Sequence, residues 1–187
     1  MGMPAETTEW TAEMARALPD DGKRYEVLDG ELFVTPAPST PHQRALRLLF
    51  ELLNPYVNRH AIGELFWSPA DIEFSPRRLV QPDLFVVRLQ DGKPLRAWRD
   101  VAGLVLAVEA LSPTTARADR HKKRHIYMEE AVDEYWIVDL DGRVIERWRK
   151  GDVRPDVLAD TLNWQPRSDI QPLVIELTGY FAGVHQS

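Results

Sequence analysis

The chain has 187 residues, of which 44% are hydrophobic and 28% charged, so it can bury a core of its own without covalent cross-links. It contains no cysteine, which excludes disulfides, thiolate metal ligands and cysteine catalysis, and its net charge of −6 argues against strong non-specific nucleic-acid binding through the overall field. The start lacks a secretory-leader pattern and no apolar run approaches about 20 residues, so we expect a cytoplasmic protein with no membrane span.

The beginning of the chain predicts a short helix and a β-hairpin. We expect one domain over residues 1–187, with residues 1–23 as an N-terminal helical extension in which Thr8–Leu18 has helical apolar spacing. Asp29-Gly30 then separates two β-prone runs, Arg24–Leu28 and Glu31–Thr35, and Asp-Gly between such runs is typical of a hairpin turn.

The middle of the chain predicts a long helix followed by extended segments. Apolar residues recur at i, i+3, i+4 and i+7 from His42 to about Arg59, with Pro55 expected to kink or end the helix. An extended segment over Glu64–Phe74 is broken near Ser68-Pro69, and Asp83–Val87 is a short apolar strand.

The second half of the chain predicts a buried strand, a helix and a second hairpin. The run Leu104–Leu111 is nearly all apolar, as expected for a central strand covered on both faces. A helix over about Ala116–Glu130 follows, then a hairpin from Tyr135–Asp139 and Val144–Arg149, and a strand at Leu173–Leu177. This order of elements predicts an α/β fold with a central mixed β-sheet flanked by helices.

Two acidic residues next to apolar strands are candidates for metal-dependent chemistry. A carboxylate such as Glu109, inside LVLAVEAL, costs several kcal/mol when buried unless it is paired or binds a metal. It could equally lie at a solvent edge, face outward or pair with a base such as Lys123, and Asp83 after Gln81-Pro82 could simply belong to a turn. If adjacent strands bring Asp83 and Glu109 together, Mg²⁺ or Mn²⁺ would offset their repulsion and lower the pKa of a water for phosphodiester hydrolysis.

A basic segment, RADRHKKRH, extends from Arg117 to His125 in the predicted helix. Lys123 lies four residues from both Asp119 and Tyr127, so the three share one side of that helix. A lysine beside a metal can orient the attacking water or stabilise the transition state, although a solvated basic face explains the same pattern. The candidates for contact with nucleic-acid phosphates are Arg117, Arg120, Lys122 and Arg124.

Six segments together resemble the Uma-type family of putative restriction endonucleases, part of the PD-(D/E)XK superfamily. In chain order they are YEVLDGEL, PSTPHQRAL, VQPDLFVV, VEALSPTT, DRHKKRHIY and DEYWIVD, and the resemblance runs from about Tyr25 to Phe181. It implies a restriction-endonuclease-like core with an N-terminal β-hairpin, and Mg²⁺-dependent cleavage of DNA.

The resemblance also implies roles for individual residues. Asp83 matches the motif aspartate and Glu109 the acid of the next strand. The strict motif would place a lysine at position 111, where this chain has Leu111. In this family the lysine lies in the following helix, where Lys123 stands in a D-x-x-x-K-x-x-x-Y pattern and Lys122 is a second candidate.

Four more residues are candidates for lining the same site. His42 and Glu26 match recurrent positions of the family, while Gln81 precedes the motif aspartate and Tyr127 ends the lysine pattern. His42 could instead be an ordinary polar residue at a helix start. For Glu26, a cross-strand pair inside the hairpin is favoured over a catalytic role.

Three functions follow from these patterns. The first is a Mg²⁺- or Mn²⁺-dependent DNA endonuclease, as a homodimer because cutting two strands suits two-fold symmetry. The second is a binding or regulatory module that keeps the nuclease fold without cleavage. A two-carboxylate sugar hydrolase ranks last, because the six tryptophans occupy core-like positions and offer no aromatic cleft.

Overall fold

The computed structural model describes residues 8–35, 37–89, 92–93, 95–101, 103–130 and 132–186, so residues 1–7 of the predicted N-terminal extension lie outside it. The helices are α1 (Ala12–Arg16), α2 (Thr40–Arg59), α3 (Ala116–Ala118), α4 (Arg124–Glu129) and α5 (Leu177–Val184), with a π-helical segment, Asp119–Lys123, between α3 and α4. The strands are β1 (Arg24–Leu28), β2 (Glu31–Thr35), β3 (Gly63–Trp67), β4 (Ile72–Ser75), β5 (Arg78–Val80), β6 (Leu84–Arg88), β7 (Leu104–Ala110), β8 (Val132–Asp139), β9 (Val144–Arg149), β10 (Asp156–Leu158), β11 (Thr161–Trp164) and β12 (Leu173–Glu176).

A six-stranded mixed sheet with strand order β10-β9-β8-β7-β6-β3 forms the centre of the molecule. Only β7 and β8 pair in parallel, as expected for two strands joined by a helical crossover. A four-stranded antiparallel sheet, β2-β1-β5-β4, and the β11-β12 hairpin complete the described strands. The predicted mixed α/β fold with an N-terminal hairpin is therefore confirmed.

Both faces of the central sheet are covered, and the alternation of side chains along each strand divides the core in two. Leu84 and Val86 of β6 pack with α2, α5 and the β11-β12 hairpin, whereas Phe85 and Val87 pack with α4 and the four-stranded sheet. Every residue of β7 is buried, which confirms the prediction of a central strand.

The turn and periodicity signals predicted the well-defined elements closely. The first hairpin has the predicted bounds, with Asp29 and Gly30 both at positive φ, as a tight turn requires. Helix α2 begins two residues earlier than predicted, capped by the Ser39 hydroxyl, and it continues through Pro55 to Arg59.

Elsewhere the predictions missed elements that tertiary packing holds in place. Strand β5 has only three residues and α5 contains Gly179 and Gly183, so neither has a strong local signal. The predicted first helix is shorter, Ala12–Arg16, with Thr11 as its cap. Within the part of the chain that the structure describes, no helix is both long and apolar enough to cross a bilayer.

Candidate active site

Asp83 and Glu109 lie opposite each other at one end of the β6-β7 pair. The register pairs Leu84 with Val108, so the residues just outside this pair, Asp83 and Glu109, are also neighbours. The alternation along each strand points both side chains to the face that carries α4 and the four-stranded sheet. Both are 2% exposed, and both line a cleft of about 650 Å³.

The Asp83 carboxylate accepts hydrogen bonds from three directions. Arg24 Nη1 lies 2.6 Å from Oδ1, while His42 Nε2 and the Ala110 N–H lie 2.9 Å and 3.0 Å from Oδ2. Burial alone would raise the pKa of Asp83, but the hydrogen bond from His42 and the charges of Arg24 and Lys123 outweigh burial and lower it. Asp83 is therefore an ionised carboxylate at neutral pH.

Lys123 lies at the centre of three carboxylates. Its Nζ is 2.9 Å from Glu26 Oε2, 3.0 Å from Glu109 Oε1 and 3.6 Å from Asp119 Oδ1, and its side chain is 3% exposed. Burial favours the neutral amine, but Glu109, Glu26 and Asp119 outweigh burial and raise the pKa of Lys123 well above its ordinary value. Lys123 is accordingly a fixed positive charge and not a proton acceptor.

Glu109 is surrounded by like charges as well as by donors. Its Oε1 accepts hydrogen bonds from Lys123 Nζ and from the Tyr127 hydroxyl at 3.1 Å. Burial raises its pKa, Lys123 lowers it, and the nearby carboxylates, first Asp83 and then Asp119, raise it again. The pKa of Glu109 therefore lies well above that of an ordinary glutamate, and this shift is opposite to that of Asp83.

Glu26 belongs to this cluster, contrary to the expectation of a cross-strand pair in the hairpin. Its register partner on β2 is Phe33, which offers no charge, and the Glu26 side chain is buried. Glu26 Oε1 accepts from the backbone N–H of Gln81 at 2.7 Å while Oε2 faces Lys123. The carboxylate thus joins the hairpin to the strand entrance that carries Asp83.

Sequence reasoning missed two residues of the site, Arg24 and Asp119. Arg24 alternates with Glu26 on β1, so period-2 spacing could have placed both on the inner face. Asp119 was placed on the side of Lys123 but given no role, and it is 1% exposed with Oδ1 lacking a hydrogen-bond partner in the described chain. The π-helical segment carries both Asp119 and Lys123, and such segments are frequent at functional sites.

The remaining candidates are distributed between the cleft and other surfaces. Lys122 does not reach the site, because it pairs with exposed Glu31 and lies over the Phe33 ring. Gln81 contributes its backbone to Glu26 but directs its side-chain amide to Asp71 at 2.8 Å.

The arginines predicted to contact phosphates fall into three environments. Arg120 lines the cleft, where its guanidinium pairs with Asp139 and Glu146, each at 2.7 Å. Arg124 lies over Trp148, 4.8 Å from the ring centroid, and Arg117 is exposed. Only Arg120 of the three therefore lies along the cleft.

The donor set of the cleft is compatible with a divalent cation. Four buried carboxylates face two permanent cations, Arg24 and Lys123, and His42, so negative charge is in excess. A divalent cation would offset both burial and the repulsion from Asp83, which together raise the pKa of Glu109. Among the described residues no three His, Asp or Glu side chains are placed to hold a metal by themselves, so water and substrate would complete its coordination.

Comparison with known proteins found a family whose model matches the chain and a solved structure with a similar fold. The family model Uma2, described as putative restriction endonuclease, matches residues 12–178. The crystal structure of a putative nuclease belonging to DUF820 from Anabaena variabilis superposes with a TM-score of 0.76 at 16% sequence identity, covering 93% of this chain and 98% of that chain. No curated protein matched the sequence. The structural likeness confirms the fold expected from the sequence.

Proposed function

The chain belongs to the Uma2 family of putative restriction endonucleases, and from this premise we propose that it is a metal-dependent endonuclease that hydrolyses phosphodiester bonds of DNA. One observation carries the proposal: Asp83 and Glu109 lie side by side at one end of the β6-β7 pair in one cleft, and Lys123 Nζ is 3.0 Å from Glu109 and 2.9 Å from Glu26. In metal-dependent phosphodiester hydrolysis, neighbouring carboxylates hold the metal ion. A nearby lysine can stabilise the charge of the transition state.

Asp83 and Glu109 are the residues that would hold Mg²⁺ or Mn²⁺. The bound ion would supply a more acidic water and electrostatic stabilisation of the phosphate. Asp83 is ready for this role because its pKa is lowered, whereas the raised pKa of Glu109 makes its ionised, metal-binding form less favourable until the metal is present. Arg24 and His42 hold Asp83 in position through their hydrogen bonds.

Lys123 acts through its charge. It keeps its proton, so it would offset the negative charge that develops on the phosphate in the transition state. Glu26 and Asp119 fix the position of the Lys123 ammonium group, and Tyr127 fixes that of the Glu109 carboxylate. This network holds the reacting groups in place before the substrate binds.

The remaining features of the proposed enzyme concern its substrate and assembly. DNA would enter along the cleft, and Arg120 and exposed Arg117 would contact phosphates, with Arg120 exchanging its carboxylate partners for them. A homodimer would present two clefts to the two strands of a duplex. The absence of cysteine suits the reducing cytoplasm.

A non-catalytic binding or regulatory module is the alternative, and a specific observation favours it. Both oxygens of Asp83 already accept hydrogen bonds from protein groups, and Lys123 already faces three carboxylates. The Asp83 carboxylate and the Lys123 ammonium group are thus already satisfied by the protein itself, as expected where polar groups serve the fold.

The two functions are separated by calorimetric titration of Mg²⁺ and Mn²⁺ into wild type, Asp83→Ala and Glu109→Ala, with nicking of supercoiled plasmid by the same samples. Asp133→Ala is the matched control, because Asp133 is an exposed acid that pairs with Arg88 outside the cleft. The endonuclease predicts metal binding and nicking by wild type and the control, with both lost in the cleft variants. If folded wild type binds no metal and cuts no plasmid in millimolar Mn²⁺, the result would rule against the endonuclease and favour the binding module.

A further inference from the structure

A second groove, of about 640 Å³, shares Arg24, His42 and Asp83 with the candidate active site. Its apolar wall consists of Trp67, the last residue of β3, with Phe50 and Leu46 of α2. The volume is within the range of small-molecule sites, roughly 300–1,000 Å³. The groove is therefore large enough for one nucleotide and lies directly beside the acid proposed to hold the metal.

Trp67 is 59% exposed, which is unusual for so large an apolar side chain and contradicts the expectation that the tryptophans occupy core positions. Phe50 supports the indole edge-on, with ring centroids 5.2 Å apart and planes at 88°. The backbone ties Trp67 to the site, because it pairs in register with Leu84 and the next residue, Ser68, donates its N–H to the Asp83 carbonyl at 3.1 Å. A supported aromatic side chain open to a groove is a stacking surface.

Gln81 supplies an independent sign of a polar ligand in the same groove. It is 9% exposed and lines the groove, with its Nε2 donating to Asp71. Its Oε1 is buried and has no hydrogen-bond partner in the described part of the chain. A buried acceptor without a donor is costly, so an N–H group on a bound molecule would satisfy it.

The groove is also edged by cations. Lys23 and Arg47 line it, and their carboxylate partners, Asp21 and Glu51, form exposed pairs with them. Exposed pairs of this kind contribute little and exchange readily for another anion. An aromatic wall, a buried acceptor and an exchangeable cationic edge together match a nucleotide, which offers a π-face, an N–H on its pairing edge and a phosphate.

We propose that this groove is a nucleobase subsite of the substrate strand, in which one unstacked base lies against Trp67. This inference rests on the proposed endonuclease function and adds the class of substrate. A base inside a duplex must first leave its stack at a cost of a few kcal/mol, which is least for single-stranded or mispaired DNA. The protein therefore prefers single-stranded or locally unpaired DNA over a perfect duplex.

The test measures binding by fluorescence anisotropy in EDTA, so no cleavage is needed. The probes are fluorescein-labelled 12-nucleotide oligothymidylate, an abasic 12-mer with the same phosphates, and a 12-base-pair duplex. Wild type is expected to bind oligothymidylate more tightly than either other probe. Trp67→Ala should lose about five- to 150-fold in affinity for oligothymidylate and no longer distinguish it from the abasic strand, since stacking one base contributes roughly 1–3 kcal/mol.

Matched variants separate stacking from a general apolar or structural role. Trp67→Phe should retain most of the affinity, Trp67→Leu should behave as Trp67→Ala, and Val157→Ala should bind as wild type, because Val157 is 61% exposed on β10 outside the groove. Circular dichroism establishes that each variant is folded.

Two results would overturn the subsite while plasmid nicking by wild type shows that the proposed function survives. The first is unchanged affinity of Trp67→Ala; if this variant also loses a dimer in light scattering, the groove belongs to a second copy of the chain. The second is equal wild-type affinity for oligothymidylate and the abasic strand. Wild type that neither binds these probes nor nicks plasmid would overturn the proposed function, and the subsite with it.

Discussion

Two clusters in this protein each set one cation among three carboxylates, and they differ in exposure. Lys123 and its partners, Glu26, Glu109 and Asp119, are 1–3% exposed. Arg78 is 18% exposed. Its partners are more exposed, Asp29 at 44%, Glu129 at 49% and Glu130 at 24%. The same charges thus occur once in the interior and once at the surface.

The difference shows how burial converts a charge cluster into a candidate site. The Arg78 cluster joins the hairpin turn to the end of α4, and water screens its charges, so its effect is local and modest. In the Lys123 cluster burial and mutual repulsion raise the pKa values of Glu109 and Asp119. Such shifted carboxylates respond strongly to an added cation or proton, as a metal site must.

The largest expected effect is the loss of the buried cation. Lys123→Met should lower the free energy of unfolding by about 3–5 kcal/mol, because it leaves three buried carboxylates without their counter-charge. The matched change in the exposed cluster, Arg78→Met, should cost about 1 kcal/mol. Urea denaturation followed by circular dichroism measures both free energies of unfolding. Equal losses in the two variants would contradict the claim that burial makes the Lys123 cluster more costly to disrupt.

Metal binding should depend strongly on pH. Because the folded-state pKa of Glu109 is raised and a metal binds its ionised form, affinity should fall as pH falls through that pKa, by up to about tenfold per pH unit. Asp83, whose pKa is lowered, stays ionised throughout. Calorimetry at three pH values, repeated in buffers of different ionisation enthalpy, should detect proton release; constant affinity without proton release would refute the assignment.

Removing the Glu109 carboxylate, whose pKa is raised, should stabilise the metal-free protein. A raised folded-state pKa means that the contribution of Glu109 to stability is present below the unfolded pKa, near 4.5, and is lost as pH rises through the folded pKa. Glu109→Gln should therefore raise the free energy of unfolding at pH 7 by about 1 kcal/mol and bind no metal. Glu129→Gln, in the exposed cluster, should change stability by less than about 0.5 kcal/mol. Equal stabilisation by Glu109→Gln and Glu129→Gln would show that burial of the carboxylate is not the cause.

The smallest effect is expected at Lys122. Its side chain pairs with exposed Glu31 outside the cleft, so Lys122→Ala should change stability by less than about 0.5 kcal/mol and plasmid nicking by less than about twofold. A loss of nicking of more than tenfold would instead assign the functional lysine to position 122.

Local signals predicted much of the fold, and the sequence identified the members of the charged cluster other than Arg24 and Asp119. The Asp-Gly turn determined the bounds of the first hairpin, and the apolar run over β7 identified the buried central strand that carries Glu109. Short or glycine-containing elements, β5 and α5, were missed because distant packing stabilises them and not local propensity. The exposure of Trp67 was likewise beyond prediction, since a tryptophan at a strand end looks the same whether or not another element covers it.

The sequence alone determined which side chains share a face, because turn chemistry and periodicity act between neighbours in the chain. The sequence also supplied Asp83, Glu109 and Lys123 as candidates, and six of its segments resemble the family to which the chain belongs. Only the tertiary structure decided which charges meet: Arg24 and His42 reach Asp83 across 59 and 41 positions of the chain. Charge pairing depends on distance in space and on burial, and neither is encoded in the local pattern of residues.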